Sequence, residues 1–335
     1  MTSSMKSKPV IAFVTGGYSS EAVISYKSAA TIERNLDQDK YEVYKIDITP
    51  AGWTYEFEAG KVLVDKNDFS LLVSGKKIWF DAVLIGIHGT PGEDGKLQSY
   101  FDLHNLPYTT CDAASSAITF NKRYTVAVAA FAGIPTAKSI HLFVDNPVTA
   151  SEISGLLQFP VFVKPNNGGS SIGISKVSDP AELPVALEKA FNEDTQVLVE
   201  EFISGREFTV GVFKTVSGII VLPVTEIITS NDFFDFNAKY LGESKEVTPA
   251  SMSAEIAKKV EAAARKVFEI FNCRGVVRID FIYNEKKQQP YLLEINTVPG
   301  QSEASIVPQQ VLAMGWTLKE FYSALIEEAL SRKVK

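Results

Sequence analysis

Apolar positions in this chain fall into two kinds of stretch, short unbroken runs and longer segments spaced by three and four. Val10 to Thr15 is a run; it ends at Gly16-Gly17, and Ser19 to about Leu36 then takes the wider spacing, so a buried strand is predicted to feed a helix. Runs at Glu42 to Ile48 and Ala82 to Ile87 predict further strands. The second opens into His88-Gly89-Thr90-Pro91-Gly92-Glu93-Asp94-Gly95, whose glycines and proline mark a loop at a strand's carboxyl end. Strands alternating with helices predict an open parallel α/β layer, and ligands bind such layers beyond the carboxyl ends of the strands.

Around Thr109 to Ser116 the residues turn small and polar, which places a first boundary near residue 115. A helix from about Ser116 through Ala132 is predicted next, stopped by Gly133 and Pro135. The second unit, 116–204, then reads as strands at Ser139 to Phe143, Val161 to Lys164, Gly173 to Val177 and Gln196 to Glu201, with a helix from about Ala181 to Phe191. The third, 205–335, opens with strands at Glu207 to Phe213 and Ile219 to Ile227. From Ser253 to Phe271 the residues Ile256, Val260, Val267, Ile270 and Phe271 recur at helical spacing behind a Ser253 N-cap.

Composition narrows the class. The 335 residues are 45% hydrophobic and 22% charged, enough for two or three cores. The net charge of -7 argues against a general nucleic-acid surface. The apolar run Val10 to Val14 is too short for a signal segment or a membrane span, so a cytoplasmic protein is expected. Cys111 and Cys273 form no CxxC pair and read as buried thiols.

Several chemistries are excluded. No two glycines stand as G-x-G, and the G-x-x-x-x-G from Gly168 to Gly173 runs into Ile174 rather than Lys, so neither the dinucleotide fingerprint nor the Walker A loop is present. Gly168-Gly169-Ser170-Ser171-Ile172 misses the G-x-S-x-G elbow of serine hydrolases. His88, His104 and His141 are too scattered for a histidine metal cluster.

Two segments point to chemistry instead. In Val276 to Tyr283, Arg278 and Asp280 interrupt an apolar strand two residues apart and so share a face; Glu294 and Asn296 do the same in Tyr291 to Asn296. If Asn284 to Gln289 turns the chain back as a hairpin, Asp280 comes beside Glu294. Two carboxylates that close repel unless a cation separates them, and oxygen donors suit Mg²⁺ held together with substrate phosphates. A plain Arg-Asp and Glu-Asn pairing on a half-exposed sheet is the alternative. The second segment is Lys164 ending an apolar strand before the Gly/Ser-rich loop Asn167 to Gly173, which is either a backbone cradle for phosphate or an ordinary turn. Together the two segments suggest a nucleotide clamped between two units.

These residues resemble the ATP-grasp superfamily, and within it the D-alanine–D-alanine ligase family, over nearly the whole chain. The segments that carry the resemblance are, in order, Gly16 to Glu21, His88-Gly89 with Gly92 to Gly95, Asn121-Lys122, Lys164-Pro165 with Gly169 to Gly173, Ala238-Lys239-Tyr240, Arg278-Ile279-Asp280, and Glu294 to Gly300. The resemblance implies a three-domain fold and a cytoplasmic, homodimeric enzyme. Such an enzyme joins two D-alanines through an acyl phosphate at the expense of ATP, for peptidoglycan precursors.

It further implies that Lys122, Lys164 and Lys239 contact ATP phosphates and that Glu200, Phe202, Ile203 and Glu207 line the adenine and ribose pocket. Asp280, Glu294 and Asn296 would hold two Mg²⁺ ions, or Mn²⁺. Glu21 would bind the first D-alanine's ammonium with Ser170 and Tyr240 orienting it. His88 would lie near the first substrate, and Ser305 and Ile306 near the second. Arg278 and the Gly300 N–H would stabilise the tetrahedral intermediate, and 230–249 would form a lid. One departure is visible: the family's opening motif carries a second acid after Glu21, where this chain has Ala22-Val23-Ile24. Tyr240 matches ligases that make the dipeptide rather than the D-lactate ester.

Overall fold

The computed structural model describes residues 7–146, 148–168, 172–229 and 244–332. The chain is a mixed α/β protein. Its strands are β1 (Val10–Gly16), β2 (Glu42–Thr49), β3 (Gly52–Phe57), β4 (Gly60–Leu63), β5 (Leu71–Val73), β6 (Lys76–Ile78), β7 (Ala82–Ile85), β8 (Ser139–Phe143), β9 (Val161–Pro165), β10 (Ser175–Val177), β11 (Gln196–Glu201), β12 (Arg206–Thr215), β13 (Gly218–Val221), β14 (Thr225–Thr229), β15 (Ser244–Val247), β16 (Val276–Asn284) and β17 (Gln289–Asn296). The helices are α1 (Ala22–Asn35), α2 (Lys96–Leu103), α3 (Ala113–Phe120), α4 (Lys122–Phe131), α5 (Ala150–Leu156), α6 (Leu183–Phe191), α7 (Ala254–Ile270), α8 (Ile306–Ala313) and α9 (Leu318–Ser331).

Three larger sheets follow one another along the chain, ordered β4-β3-β2-β1-β7, β10-β9-β11-β8 and β15-β14-β12-β16-β17, with β13 on β12. In the first, β1 lies parallel to β2 and β7, as the apolar runs predict, and Ile11 to Val14 are fully buried. β3 and β4 extend it antiparallel. Their apolar residues are mixed with charges and fall below a readable run. At the carboxyl end of β1, Gly16 has φ +95, and a Cβ there would stand 2.5 Å from Ile48 O, so β1 and β2 approach this closely only with glycine.

The helix predicted from Ser116 through Ala132 is two helices, α3 and α4. Asn121 breaks it: its backbone leaves the helical region at φ -97, ψ 107, and its side chain accepts the Tyr124 N–H as the N-cap of α4. The strand predicted from Ile219 to Ile227 is likewise two, β13 and β14, both antiparallel to β12 but at different places along it. α7 matches its predicted span, with Ser253 accepting the Ile256 N–H and Val260, Ala264, Val267 and Phe268 buried against the third sheet, but Ile270, read as part of the apolar stripe, is exposed at the last turn. Cys111 and Cys273 are buried free thiols.

The cores are not distributed one per sheet. Ile11, Phe13 and Ile32 of the first layer share a cluster with Phe213 of β12 and Phe321, Tyr322 and Leu325 of α9. The middle sheet keeps its own core, Leu142, Val161, Val163, Val197 and Val199 under Leu183, Ala186 and Ala190 of α6.

Candidate active site

The acidic hairpin forms in the register the alternation predicts. β16 and β17 pair antiparallel with Asp280 opposite Glu294 and Arg278 opposite Asn296, and the register shifts between Asp280 and Phe281. Residues directly opposite share a face, so two carboxylates, an amide and a guanidinium stand together. Arg278 grips Asp280 bidentately, Nε to Oδ1 at 3.0 Å and a second nitrogen to Oδ2 at 2.8 Å, and comes within 3.8 Å of Glu294. Thr209 Oγ1 donates to Asp280, and Asn296 Nδ2 donates to its Oδ2 at 3.2 Å.

The donor chemistry fits a divalent cation. Each Asp280 oxygen already accepts two hydrogen bonds, Oδ1 from Arg278 and Thr209 and Oδ2 from Arg278 and Asn296, so taking an ion requires one donor to give way, as a turn of the Asn296 amide that presents its Oδ1 would do. These are hard oxygens of the kind Mg²⁺ prefers. A wholly buried Asp280 beside Glu294 and without Arg278 would be a costly arrangement; the guanidinium makes it tenable.

A cleft of about 370 Å³ opens in front of this pair of strands. Glu21 and His88 come to it from the carboxyl ends of the first layer, Lys122 from the first residue of α4, and Arg278, Glu294 and Asn296 from the third sheet; Gly300, Ser305 and Ile306 come from the segment after β17. Gly89, at φ +66, lets the loop after β7 close on Glu21: a Cβ there would meet Glu21 Oε2 at 2.4 Å. Ile24 and Lys27 of α1 also line the cleft, so the stretch that lacks the second acid contributes an apolar side chain, and a lysine follows three residues on.

The expected nucleotide residues lie to one side. Lys122 Nζ donates to Gly168 O at 2.9 Å, at the start of the Gly/Ser-rich loop. Lys164 pairs with the buried Glu200. Both line a narrow cavity of about 20 Å³ whose wall includes Thr119, Lys122 and Glu294, residues that the main cleft shares. Phe202, Ile203 and Glu207 line neither space. Phe202 is on the surface, its ring 6.1 Å from that of Phe162 and 5.1 Å from Lys176 Nζ, at the junction of β11 and β12. Ser170, Lys239 and Tyr240, with residues 230–243 of the expected lid, lie outside the described residues.

Two buried groups have strongly displaced titrations. Burial pushes the His88 imidazole down to about 4, helped by the positive charge of Arg278 and opposed by a hydrogen bond to the Val298 backbone, so the ring is neutral. Burial, and then the charge of Glu21, push Glu93 up to about 8 against the two backbone N–H groups it accepts, from Gly89 and Val298. Glu93 also lines the cleft, and its place between glycines just after a strand is the sign of it that the chain carries. Glu246 of β15 also lines the cleft, and its carboxyl is raised by burial.

This arrangement offers a cation and phosphate wall opposite an acid that can take an ammonium. Comparison with known proteins gives the family. Residues 10–111 match the family description D-ala D-ala ligase N-terminus, and residues 122–327 match D-ala D-ala ligase C-terminus. The D-alanine–D-alanine ligase of Flavobacterium johnsoniae is 44% identical over 96% of this chain and 99% of its own. That of Parabacteroides distasonis is 43% identical over 98% and 100%. Among solved structures, the VanG D-Ala:D-Ser ligase of Enterococcus faecalis superposes with a TM-score of 0.86 at 31% identity, covering 96% of this chain and 99% of its own. D-alanyl-alanine synthetase A of Vibrio cholerae gives 0.85 at 28%, covering 98% and 100%. With both parts described by one family and relatives matching from end to end, the chain belongs to the D-alanine–D-alanine ligase family.

Proposed function

We propose that the chain condenses two D-alanines to D-alanyl-D-alanine, consuming ATP in a cytoplasmic step that supplies peptidoglycan precursors. The observation that carries the reading is the register of β16 on β17, which stands Arg278, Asp280, Glu294 and Asn296 together and brings Arg278, Glu294 and Asn296 to the cleft that Glu21 and His88 also line; Asp280 stands behind them, held by Arg278. Lys122 and Lys164 reach the ATP phosphates, joined by Lys239. Glu200, Phe202, Ile203 and Glu207 flank the adenine and ribose, at the junction between the middle and third sheets. The division into 1–115, 116–204 and 205–335 is supported by the three successive sheets.

Asp280, Glu294 and Asn296 would hold two Mg²⁺ ions, which when bound neutralise charge on the transferring phosphoryl group. Glu21 takes the ammonium of the first D-alanine, with Ser170 and Tyr240 orienting it. A carboxylate oxygen of that first D-alanine forms a bond to the γ-phosphorus as the bond to ADP breaks. The second D-alanine, placed by Ser305 and Ile306, gives a proton from its ammonium to solvent as it binds and attacks the acyl carbon as the amine. The carbonyl oxygen gains charge, faced by Arg278 and the Gly300 N–H; the acyl C–O bond then breaks and phosphate leaves. Donors fixed in advance at such an oxyanion are worth roughly 100-fold to 1,000-fold each. A neutral His88 in the wall adds no charge there. Water would hydrolyse the acyl phosphate, which gives a lid over 230–249 a purpose. A homodimer is the expected assembly.

The test is ADP release with Mg-ATP and D-alanine, with D-serine, D-lactate and L-alanine as other acceptors and the product identified by mass. Release that depends on D-alanine, with the dipeptide as product, supports the reading. Preference for D-serine, the acceptor named for the Enterococcus faecalis enzyme, would redirect it.

A further inference from the structure

The peptide unit between Pro299 and Gly300 carries both the Pro299 carbonyl and the Gly300 N–H. Because a trans peptide is planar, those two groups point in opposite directions and move together. Fixing the carbonyl therefore fixes the direction of the N–H, and a donor serves an oxyanion only as well as it is held.

Besides the His88 bond to the Val298 backbone, three bonds hold this segment. On one side of Gly300, Val298 N–H donates to Glu93 Oε1 at 3.2 Å; on the other, Gln301 N–H donates to Ser28 Oγ at 3.0 Å, and Ser28 Oγ lies 2.9 Å from His88 Nε2. The third bond comes from the Gln301 side chain, whose Nε2 donates to Pro299 O at 3.2 Å. That amide is itself oriented by Tyr322 of α9, whose hydroxyl donates to Gln301 Oε1 at 3.2 Å. Gln301 and Tyr322 are both buried, and neither lines the cleft, so neither meets substrate.

We infer that Gln301, set by Tyr322, is a positioning residue that holds the Pro299–Gly300 peptide plane with the Gly300 N–H aimed at the acyl oxygen. The inference rests on the role given to Gly300 above. It separates two kinds of contact at one side chain: the Nε2 bond to Pro299 O orients the plane, while the Oε1 bond to Tyr322 orients the amide.

The experiment measures kcat per nucleotide-binding site, counted by Mg-ATP titration, together with the KM for ATP, in Gln301→Met, Gln301→Glu, Tyr322→Phe and the Gln301→Met/Tyr322→Phe double variant. Gln301→Glu keeps an acceptor for Tyr322 but loses the donor to Pro299 O. Loosening rather than removing an oxyanion donor is expected to lower kcat per site about tenfold in both Gln301 variants, with the KM for ATP within about twofold. Tyr322→Phe should fall less, and the double variant no further than Gln301→Met alone, since both changes act through one amide. Full kcat per site in Gln301→Met overturns the inference, as does a rise in the KM for ATP that matches the fall in kcat. Should Gln301→Met not fold, Tyr322→Phe, which removes one oxygen from a packed ring, decides: unchanged kcat per site overturns it. Arg278→Ala is run beside them. Turnover retained in that variant would remove the oxyanion reading itself; turnover lost there and kept in Gln301→Met removes only the positioning role.

Discussion

At the scale of single residues, Glu294, proposed to ligate the metal, and Glu93, the acid with the raised titration, should behave oppositely. Asp280 and Glu294 face each other across β16 and β17 and are kept compatible by Arg278. Glu294→Gln preserves volume and removes a ligand charge, so turnover should drop by about 100-fold or more, the range for deleting a preorganised electrostatic contact, with little change in melting temperature. A variant turning over at more than a tenth of the wild-type rate would exclude the metal role. Glu93 is different because its proton, not its charge, suits its surroundings. Its folded value, about 8, lies above the ordinary 4.5. The folded state therefore binds the extra proton between those values, and its contribution is full below pH 4.5 and lost as the pH rises through 8. The stability difference between wild type and Glu93→Gln, from urea unfolding, should shrink from pH 5 to pH 8.5. Measuring the slope rather than one value separates the proton from the two backbone bonds the substitution also disturbs; a flat difference would contradict the raised titration.

At the scale of elements, α4 ties a local cap to a proposed phosphate contact. Asn121 accepts the Tyr124 N–H at 3.1 Å, and Asn166 accepts the N–H groups of Lys122 and Arg123 through its carbonyl and side chain. Asn121→Ala should cost about 1 kcal/mol of stability, a typical N-cap loss, and raise the KM for ATP through Lys122, whereas Asn121→Ser should restore both. Unchanged ATP affinity in the alanine variant would mean that α4 does not position Lys122. The same helix shows what sequence pattern can and cannot tell. Two-residue alternation in Arg278 to Asp280 and Glu294 to Asn296 predicted the face and register of the hairpin, because strand periodicity is local. The break at Asn121 was hidden because apolar spacing continues through it, and only the backbone shows that the asparagine caps a new helix. α9 was readable but unread: Leu318, Phe321, Tyr322, Leu325 and Ile326 recur at helical spacing behind the capping box of Thr317 and Glu320. Nothing local, by contrast, could bring Ser28 to Gln301, or Glu93 to Val298, since these partners lie far apart in the chain.

At the scale of the whole molecule, the distribution of cores predicts which parts unfold together. Phe321 of α9 packs edge-on against Phe213 of β12, ring centroids 5.1 Å apart, within the cluster that also holds Ile11 and Phe13 of β1. The first and third sheets thus share apolar surface, while the middle sheet closes on α6. Contiguous packing of this sort defines cooperative units whose amides exchange together. Phe321→Ala, at a fully buried site, should cost about 3–5 kcal/mol, the usual range for emptying a core aromatic. The loss should appear in hydrogen exchange as faster opening of β1 and β12 together, with β9 and β11 unchanged. Acceleration confined to α9 and β12 would mean that the first layer is stable by itself. Equal acceleration in β9 and β11 would mean that the molecule opens as one unit. A middle unit that opens independently is what the proposed nucleotide site between the second and third sheets needs: ATP would enter there without disturbing the first layer, where Ser28, His88 and Glu93 hold the Gly300 segment. Adding Mg-ATP should then slow exchange in β9 and β11 more than in β1, since a ligand stabilises most the unit whose opening it must prevent.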